Sequence, residues 1–294
     1  MVHFEAVGMM DLEAGKPMQR DTIFRIYSMT KPIVSMAAMM LWEENRFELD
    51  DPVSKFIPAL RGLPVFAGET EAGLVLEEQE REFSVRDLLR HTSGLSAGWR
   101  PDSPIDALYR QAGLRSHEGT LQELVSKLAR IPLHYQPGTR WHYGVSTDVL
   151  GYLIEQLSGQ RLDALLRERI FEPLGMPDTG FYVPEARLLR AETVELMTRN
   201  HLPEAALPID FGFAQVPAFP GTGFGLGFSV RVDLAHPEVP GSLGEYGWGG
   251  AASTRFWIAP SHELIGLVMT QFMPDFTYPI DQEVKALSYA ALLD

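Results

Sequence analysis

The sequence reads Ser28-Met29-Thr30-Lys31-Pro32 where its first long helix is predicted to begin. In a helix, residues three positions apart lie on one face, so the Lys31 amine can reach the Ser28 hydroxyl. Proline is tolerated in a first helical turn, and the free N–H groups of that turn stabilise negative charge. Because a Ser-x-x-Lys tetrapeptide also arises by chance, two interpretations stay open. The segment is either an activated serine or a helix start followed by a solvated lysine.

Working outward from this segment, hydrophobic periodicity indicates helices in the middle of the chain and strands at its two ends. The predicted helices are Met29 to Glu44, Ser84 to Arg90, Thr120 to Arg130, Ser146 to Ser158, Leu162 to Phe171 and Asp281 to Leu293. The predicted strands are residues 2 to 8, Phe224 to Val232, Ser253 to Ala259 and Leu264 to Phe272, and the predicted loops are 62–82, 96–106 and 199–222. This order predicts an α+β fold, in which an antiparallel sheet from the N- and C-terminal segments is flanked by helices and a mostly helical region is inserted.

The composition narrows the class of protein. Of 294 residues, 45% are hydrophobic and 22% are charged, which is typical of a globular chain. The formal net charge of -14 repels phosphate backbones and argues against nucleic acid as a partner. The absence of cysteine excludes disulfides and thiolate catalysis. Since no His-Glu-x-x-His motif occurs either, we expect neither a metal nor another cofactor.

The N-terminus and the apolar segments bear on location and partners. The residues after Met1 do not form a basic region followed by an apolar one, as a secretory leader would. The longest apolar stretch, Ile33 to Trp42, is shorter than the roughly 20 residues that span a bilayer. We therefore expect a cytoplasmic protein without membrane contact, acting on a small molecule. The oligomeric state stays open.

A second serine lies in Gly94-Leu95-Ser96-Ala97-Gly98, which matches the Gly-x-Ser-x-Gly pattern of some hydrolases. That pattern carries a nucleophile where a strand turns sharply into a helix. Here a predicted helix comes before it, and Trp99-Arg100-Pro101 follows, which is a poor helix start. The context favours a glycine-rich loop at the end of a helix over a nucleophile.

Two further segments carry side chains suited to a site. Residues 136–146 form a Pro-Gly turn that delivers Tyr143 just before a helix, and residues 246–251 are a glycine-rich strand start that contains Trp248. Glycines at such positions let a backbone approach a ligand closely. Taken singly, both aromatic residues are more typical of a core.

Taken together and in this order, the segments resemble the serine β-lactamase and penicillin-binding-protein superfamily. The chain is most similar to the family VIII carboxylesterases, which are relatives of the class C β-lactamases. The matching segments are Phe24 to Ile33, Leu88 to Leu95, Pro137 to Tyr143, Val149 to Gly151, Pro173 to Met176 and Gly247 to Gly250. The resemblance implies a sheet domain of residues 1–48 and 199–294, a mainly helical domain of residues 49–198, and an active site at their interface.

The resemblance also implies catalytic roles. Ser28 would be the nucleophile, Lys31 would hold it and help to deprotonate it, and Tyr143 would be the general base. The chemistry is consistent, since a serine needs an adjacent base and a tyrosine acts as one when a cation favours its phenolate. The backbone N–H groups of Ser28 and Ala251 would form the oxyanion hole.

The segment Trp248-Gly249-Gly250 would bind the substrate, and here the chain departs from the β-lactamases. Those enzymes carry Lys-Thr-Gly at this place, and their lysine recognises a substrate carboxylate. Tryptophan offers an apolar wall instead. Val145 likewise stands where an asparagine is usual. Both departures favour a hydrolase of short-chain carboxylic esters.

Two alternatives stay open. One is a β-lactamase or D-amino acid peptidase of the same superfamily. The other, of a different class, is a non-catalytic scaffold or binding protein that keeps the fold. A shortening around residues 184–192, where relatives carry a longer segment, favours the second alternative.

Overall fold

The computed structural model describes most of the chain. The residues outside its description are 1, 2, 12, 23, 115–118, 177–179, 181–190, 204–208, 210–218, 236–239, 276, 293 and 294, together with the side chains of 191–194.

Helices occupy the middle of the described chain, as predicted. They are α1 (Thr30–Glu43), α2 (Val85–Leu89), α3 (Pro104–Gln111), α4 (Leu121–Leu128), α5 (Ser146–Ser158), α6 (Leu162–Leu166), α7 (Ala191–Thr198) and α8 (Ile280–Ala290). A π-helical turn, Arg167–Phe171, continues α6. Reciprocal capping boxes explain two of the starts. Ser84 begins α2 and Thr120 begins α4, each in a reciprocal capping box with the acid three residues later.

The strands form antiparallel sheets. They are β1 (Met9–Asp11), β2 (Lys16–Pro17), β3 (Val65–Thr70), β4 (Gly73–Glu77), β5 (Thr222–Phe224), β6 (Ser229–Arg231), β7 (Tyr246–Gly250), β8 (Thr254–Ala259) and β9 (Leu264–Val268). The main sheet has the order β5-β6-β7-β8-β9, and two hairpins, β1-β2 and β3-β4, stand apart from it. The α+β class and the antiparallel sheet are therefore confirmed.

The N-terminal strand differs from the prediction. Residues 3–8 form no strand, and β1 begins only at Met9 and pairs with β2. Alternating polar and apolar residues form a strand only where a neighbouring strand takes up their backbone groups. No described strand pairs with residues 3–8, and Phe4 and Val7 are exposed. The described main sheet is thus built from the C-terminal third of the chain.

Two predicted loops contain regular structure. Residues 62–82 hold the β3-β4 hairpin, because short apolar runs pair across a turn at Glu71 and Ala72 while the acidic side chains face solvent. Residues 96–106 end in the start of α3, where Ser103 caps the helix and Pro104 occupies its first turn. The loop prediction was thus wrong for residues 65–77 and for 104–106, whereas residues 96–103 form a loop as predicted. Glycine, proline and acidic residues also occur in tight hairpins and at helix starts, which explains the errors.

The predicted strand from Phe224 to Val232 is a hairpin, β5 to β6. The Gly225 N–H donates to the Phe228 carbonyl at 2.8 Å and closes the turn between the two strands. A period of two reports which side chains face the core, and it does not detect a reversal of the chain. In the predicted loop 199–222, a single bridge joins Ile209 and Phe219, and much of that segment lies outside the described residues.

The main hydrophobic core lies around α1, which packs against α5. Met39 is fully buried and Met40 nearly so, and Met36 packs at the edge of the same core. This core fixes the helix that carries Ser28 and Lys31 at its start. Among the described residues, no helix combines the length and apolar character needed to cross a membrane. The cytoplasmic location stays a prediction.

A buried carboxylate ties α2 to the segment that follows it. Asp87 is fully buried and accepts hydrogen bonds from Arg81, Arg90 and Thr92. Burial raises the pKa of Asp87, but the hydrogen bonds and the arginine charges outweigh it and bring the pKa to about 2. This carboxylate therefore stabilises the fold above about pH 4, and the contribution is lost as the pH falls towards 2.

Replacing Asp87 by asparagine is expected to lower the free energy of unfolding by about 3 kcal/mol, because two arginines lose their buried partner. The matched control is Asp50→Asn, since the Asp50 side chain also binds an arginine but is 75% exposed. We expect the control to cost less than about 1 kcal/mol. Urea denaturation at pH 7 measures both, and equal losses in the two variants would contradict the assignment.

Candidate active site

Ser28 lies in a tight turn directly before α1. Residues Tyr27–Met29 form a 3₁₀ turn, and Tyr27 adopts a positive φ of 46°. Such a conformation is costly for a bulky residue and persists where the surrounding structure holds it. The turn leaves the Ser28 side chain partly exposed at the N-terminal end of α1.

Three predicted site residues meet at this turn. The Tyr143 hydroxyl donates to Ser28 Oγ at 2.7 Å, and Lys31 Nζ lies 3.5 Å from the same oxygen. Lys31 Nζ also lies 4.8 Å from the centre of the Tyr143 ring. The nucleophile, the cation and the tyrosine of the prediction are thus in hydrogen-bonding contact, and Tyr143 comes from a segment 115 residues away.

The charge of Lys31 is stabilised by its surroundings. Burial lowers the pKa of Lys31, but attraction to Tyr143 and Asp148, with a hydrogen bond to Tyr143, outweighs burial and raises the pKa above 10.5. Lys31 is therefore an ammonium ion at neutral pH. Burial raises the pKa of Asp148, and the charge of Lys31 opposes that rise.

Asp148 is a site residue that the sequence analysis missed. It lies in the first turn of α5, five residues after Tyr143. An acid in the first turn is common in helices, since it interacts favourably with the helix dipole, so its presence alone indicates nothing about Lys31. The only reason to search for Asp148 would have been that a buried lysine needs a compensating negative charge nearby.

Aromatic rings surround the reacting groups. Trp99 stacks on Tyr143 with ring centres 5.4 Å apart, and Trp248 lies 5.9 Å from Tyr143 and 5.1 Å from Phe224. Trp248 is positioned by β7, which pairs with β8 at Phe256. The structure therefore brings the predicted Trp248 to the site and adds Trp99, which no sequence pattern indicated. Both tryptophans are partly exposed, so they present apolar surface beside Tyr143.

The glycine segment of β7 runs along the serine turn. A side chain at Gly250 would lie 2.4 Å from the carbonyl oxygen of Ile26, so only glycine allows this approach. Gly249 lies in the same strand, and Ala251 begins the turn from β7 to β8. The predicted oxyanion hole from the Ser28 and Ala251 N–H groups stays a prediction.

Ser96 is in a different environment. It is 1% exposed, and its hydroxyl bonds to Asp106 and to Nε2 of His142. A buried hydroxyl whose bonding capacity is used in this way cannot attack a substrate. The structural interpretation of the Gly-x-Ser-x-Gly motif is consistent with this geometry.

Among the described residues, one group has the geometry to hold a metal ion. Ligand atoms of Asp106, His134 and His142 lie within 4.8 Å of one another. However, the Asp106 oxygens already accept bonds from Ser96 and from the Arg100 N–H. Burial lowers the pKa of His142 to about 3, with His134 and nearby arginines contributing, and those arginine charges also repel a cation. The group is better suited to a neutral hydrogen-bonded cluster.

Comparison with known proteins shows the family to which the chain belongs. The family model described as Beta-lactamase matches residues 1–236, which is most of the chain. The chain belongs to the Beta-lactamase family. The serine β-lactamase-like resemblance and the fold class are thereby confirmed, and the chain has the fold of the serine hydrolases of that superfamily.

Several relatives of this Beta-lactamase family protein are known. Protein Rv1367c of Mycobacterium tuberculosis is 30% identical over 344 positions, covering 94% of this chain and 84% of the relative. Esterase EstB of Burkholderia gladioli is 37% identical over 188 residues, covering 63% of this chain and 45% of the esterase. The alignment to Protein Rv1367c is longer than this chain, and the Mycobacterium tuberculosis protein therefore contains segments that have no counterpart here. Residues 184–192, where the sequence predicts a shortening, lie almost wholly outside the described residues.

Solved structures show the same fold. EstCE1, a hydrolase with promiscuous acyltransferase activity, superposes with a TM-score of 0.79 at 24% identity, covering 97% of this chain and 89% of that one. Simvastatin synthase from Aspergillus terreus superposes with a TM-score of 0.74 at 22% identity, covering 96% of this chain and 87% of that one. The relatives thus include esterases and acyltransferases of one fold. The domain boundaries at residues 48 and 199 stay a prediction.

Proposed function

We propose that this protein is a serine carboxylesterase that hydrolyses neutral short-chain esters through an acyl-enzyme on Ser28. The observation that carries the proposal is the contact of Ser28 Oγ with the Tyr143 hydroxyl at 2.7 Å and with the Lys31 ammonium at 3.5 Å. These are the nucleophile, base and cation that acyl transfer requires, within reach of one another.

In the proposed reaction, the Tyr143 phenolate takes the proton of Ser28, and Oγ attacks the ester carbonyl carbon. The carbonyl oxygen becomes an oxyanion, which the N–H groups of Ser28 and Ala251 would stabilise. The intermediate collapses, the C–O bond to the alcohol breaks, and Tyr143 returns the proton to the leaving alkoxide. Water then repeats the sequence on the acyl-enzyme, which releases the carboxylic acid and restores the Ser28 hydroxyl. Lys31 stays charged and favours the phenolate throughout.

The aromatic residues around the site favour an uncharged substrate. Trp99 and Trp248 pack against the Tyr143 ring and are partly exposed, so a substrate carboxylate placed against them would lose its water without gaining a cation from either residue. An apolar acyl or alcohol group gains from burial against the same rings. The similarity to an esterase of Burkholderia gladioli supports the same reaction.

Acyl transfer to an alcohol is a second candidate. The chain is 32% identical to monacolin J acid methylbutanoyltransferase of Aspergillus terreus over 187 residues, 63% of this chain and 44% of the relative. The apolar side chains of Trp99 and Trp248 would support transfer if they favour attack on the acyl-enzyme by an alcohol over attack by water. Adding an alcohol to the ester assay and measuring the ratio of new ester to free acid distinguishes transfer from hydrolysis.

The purified protein is expected to hydrolyse p-nitrophenyl acetate and butyrate with a kcat/KM about 10- to 100-fold above that for a cephalosporin, since a lost carboxylate contact is worth about 1.5–3 kcal/mol. Initial rates over a panel of acyl lengths and β-lactams measure this ratio, with Ser28→Ala as the control for background hydrolysis. Efficient cephalosporin turnover with poor ester turnover would instead support the β-lactamase alternative.

A further inference from the structure

The loop that carries Tyr143 is held by the segment that contains the second serine motif. On one side of Tyr143, the His142 N–H donates to the His91 carbonyl at 2.8 Å. On the other side, the Val145 N–H donates to the Ser96 carbonyl at 3.2 Å. The residues that flank Tyr143 are thus both bonded to the segment from His91 to Ser96, and Val145 also caps α5.

The Ser96 side chain extends this attachment. Its hydroxyl donates to Oδ1 of Asp106, and His142 Nε2 lies 3.1 Å from Ser96 Oγ. A serine hydroxyl has one proton, so once that proton is given to Asp106, the bond from His142 must be donated by its Nε2–H. The three side chains form a directed chain from His142 through Ser96 to Asp106. All three are at least 94% buried, so water does not compete for these bonds.

Close packing adds a second restraint on the same loop. A Cβ at Gly144 would lie 2.6 Å from the carbonyl carbon of Ser96, so the loop passes directly against the Ser96 backbone. Trp99, three residues after Ser96, stacks on the Tyr143 ring at an interplanar angle of 28°. The segment from Ser96 to Trp99 therefore contacts the residues before and after Tyr143 and its ring.

We propose that Ser96, Asp106 and His142 are positioning residues that hold the Tyr143 hydroxyl at hydrogen-bonding distance from Ser28 Oγ. The serine of the Gly-x-Ser-x-Gly motif thus serves the reaction through the base and not as a nucleophile. Displacement of a catalytic group by about 1 Å costs up to roughly 100-fold in rate, so the network affects catalysis without touching the substrate. The proposal rests on the proposed function, in which Tyr143 is the general base.

The test compares Ser96→Ala in two backgrounds. In the native chain, we expect the variant to lower kcat about tenfold with KM nearly unchanged, and to slow labelling of Ser28 by a fluorophosphonate probe about equally. In the Tyr143→Phe background, we expect Ser96→Ala to change the residual rate less than about twofold, since no hydroxyl is left to position. The control is Ser54→Ala, which also removes a buried hydroxyl bonded to a carboxylate, but one that belongs to Glu82. It should leave both rates unchanged.

A purely structural Ser96 would give the opposite pattern. The rate loss would then be the same in both backgrounds, or Ser54→Ala would reproduce it at a matched loss of thermal stability, and either result would overturn the proposal. Should Ser96→Ala fail to fold, Asp106→Asn, which keeps the side-chain size, is compared in the same two backgrounds with the same expectations. Near-native activity of Tyr143→Phe alone would instead refute the base assignment in the proposed function.

Discussion

Replacing Ser28 by alanine is expected to lower ester hydrolysis at least about 10⁴-fold, because the variant has no oxygen with which to form the acyl-enzyme. The substitution removes a single partly exposed hydroxyl, so the fold should be retained. Turnover of p-nitrophenyl butyrate measures the loss. Intact-mass analysis after treatment with a fluorophosphonate probe measures whether a covalent adduct forms.

The matched control for this prediction is Ser96→Ala, which removes the other motif serine. We expect one adduct on the native chain, none on Ser28→Ala, and a slower but complete reaction on Ser96→Ala. A native chain that takes up no probe and cleaves no ester would favour the non-catalytic scaffold. An adduct that persists in Ser28→Ala and disappears in Ser96→Ala would show that the nucleophile is Ser96.

Replacing Tyr143 by phenylalanine is expected to lower kcat by about 10² to 10⁴-fold, which is the usual contribution of a positioned general base. Phenylalanine keeps the ring that stacks on Trp99 and contacts Trp248, so substrate binding and stability should change little. The missing hydroxyl leaves Ser28 Oγ without the partner that lies 2.7 Å away. Steady-state kinetics and thermal denaturation of the two proteins separate the loss of rate from a loss of fold.

The pH dependence distinguishes this base from a histidine. Burial lowers the pKa of His91 well below 6.5 and that of His142 to about 3, so both rings stay neutral above pH 6.5. The pKa of Lys31 is raised, so its charge persists to alkaline pH. The rate of the native protein should therefore show no ascending limb near pH 6 that depends on either histidine.

His142→Gln should therefore leave the shape of the pH profile unchanged at whatever activity remains. Profiles of kcat/KM between pH 5 and 10 of the native protein and the variant test this expectation. An ascending limb near pH 6 that a single histidine substitution removes would contradict the tyrosine base and favour a serine–histidine mechanism.

Local features of the fold could be predicted because their causes lie within a few residues of sequence. Helix α5 begins and ends where its periodicity predicts, and α2 begins after its cap Ser84, where the predicted helix starts. The three-residue spacing of Ser28 and Lys31 likewise implies their contact at the start of α1. Hairpin β3-β4 was missed because pairing between two short runs has no periodic signal of its own.

By itself, the sequence determined the helical middle of the chain, the Ser-x-x-Lys helix start and the family resemblance. Only the tertiary structure decided how exposed each of the two motif serines is. Ser28 is partly exposed on a turn, whereas Ser96 is buried against Asp106 and His142. It also decided that Asp148 lies close enough to Lys31 to favour its charge. Most of these contacts join residues that lie far apart in the chain. Such contacts leave no periodic pattern in the sequence, so they form only when the core has brought the segments together.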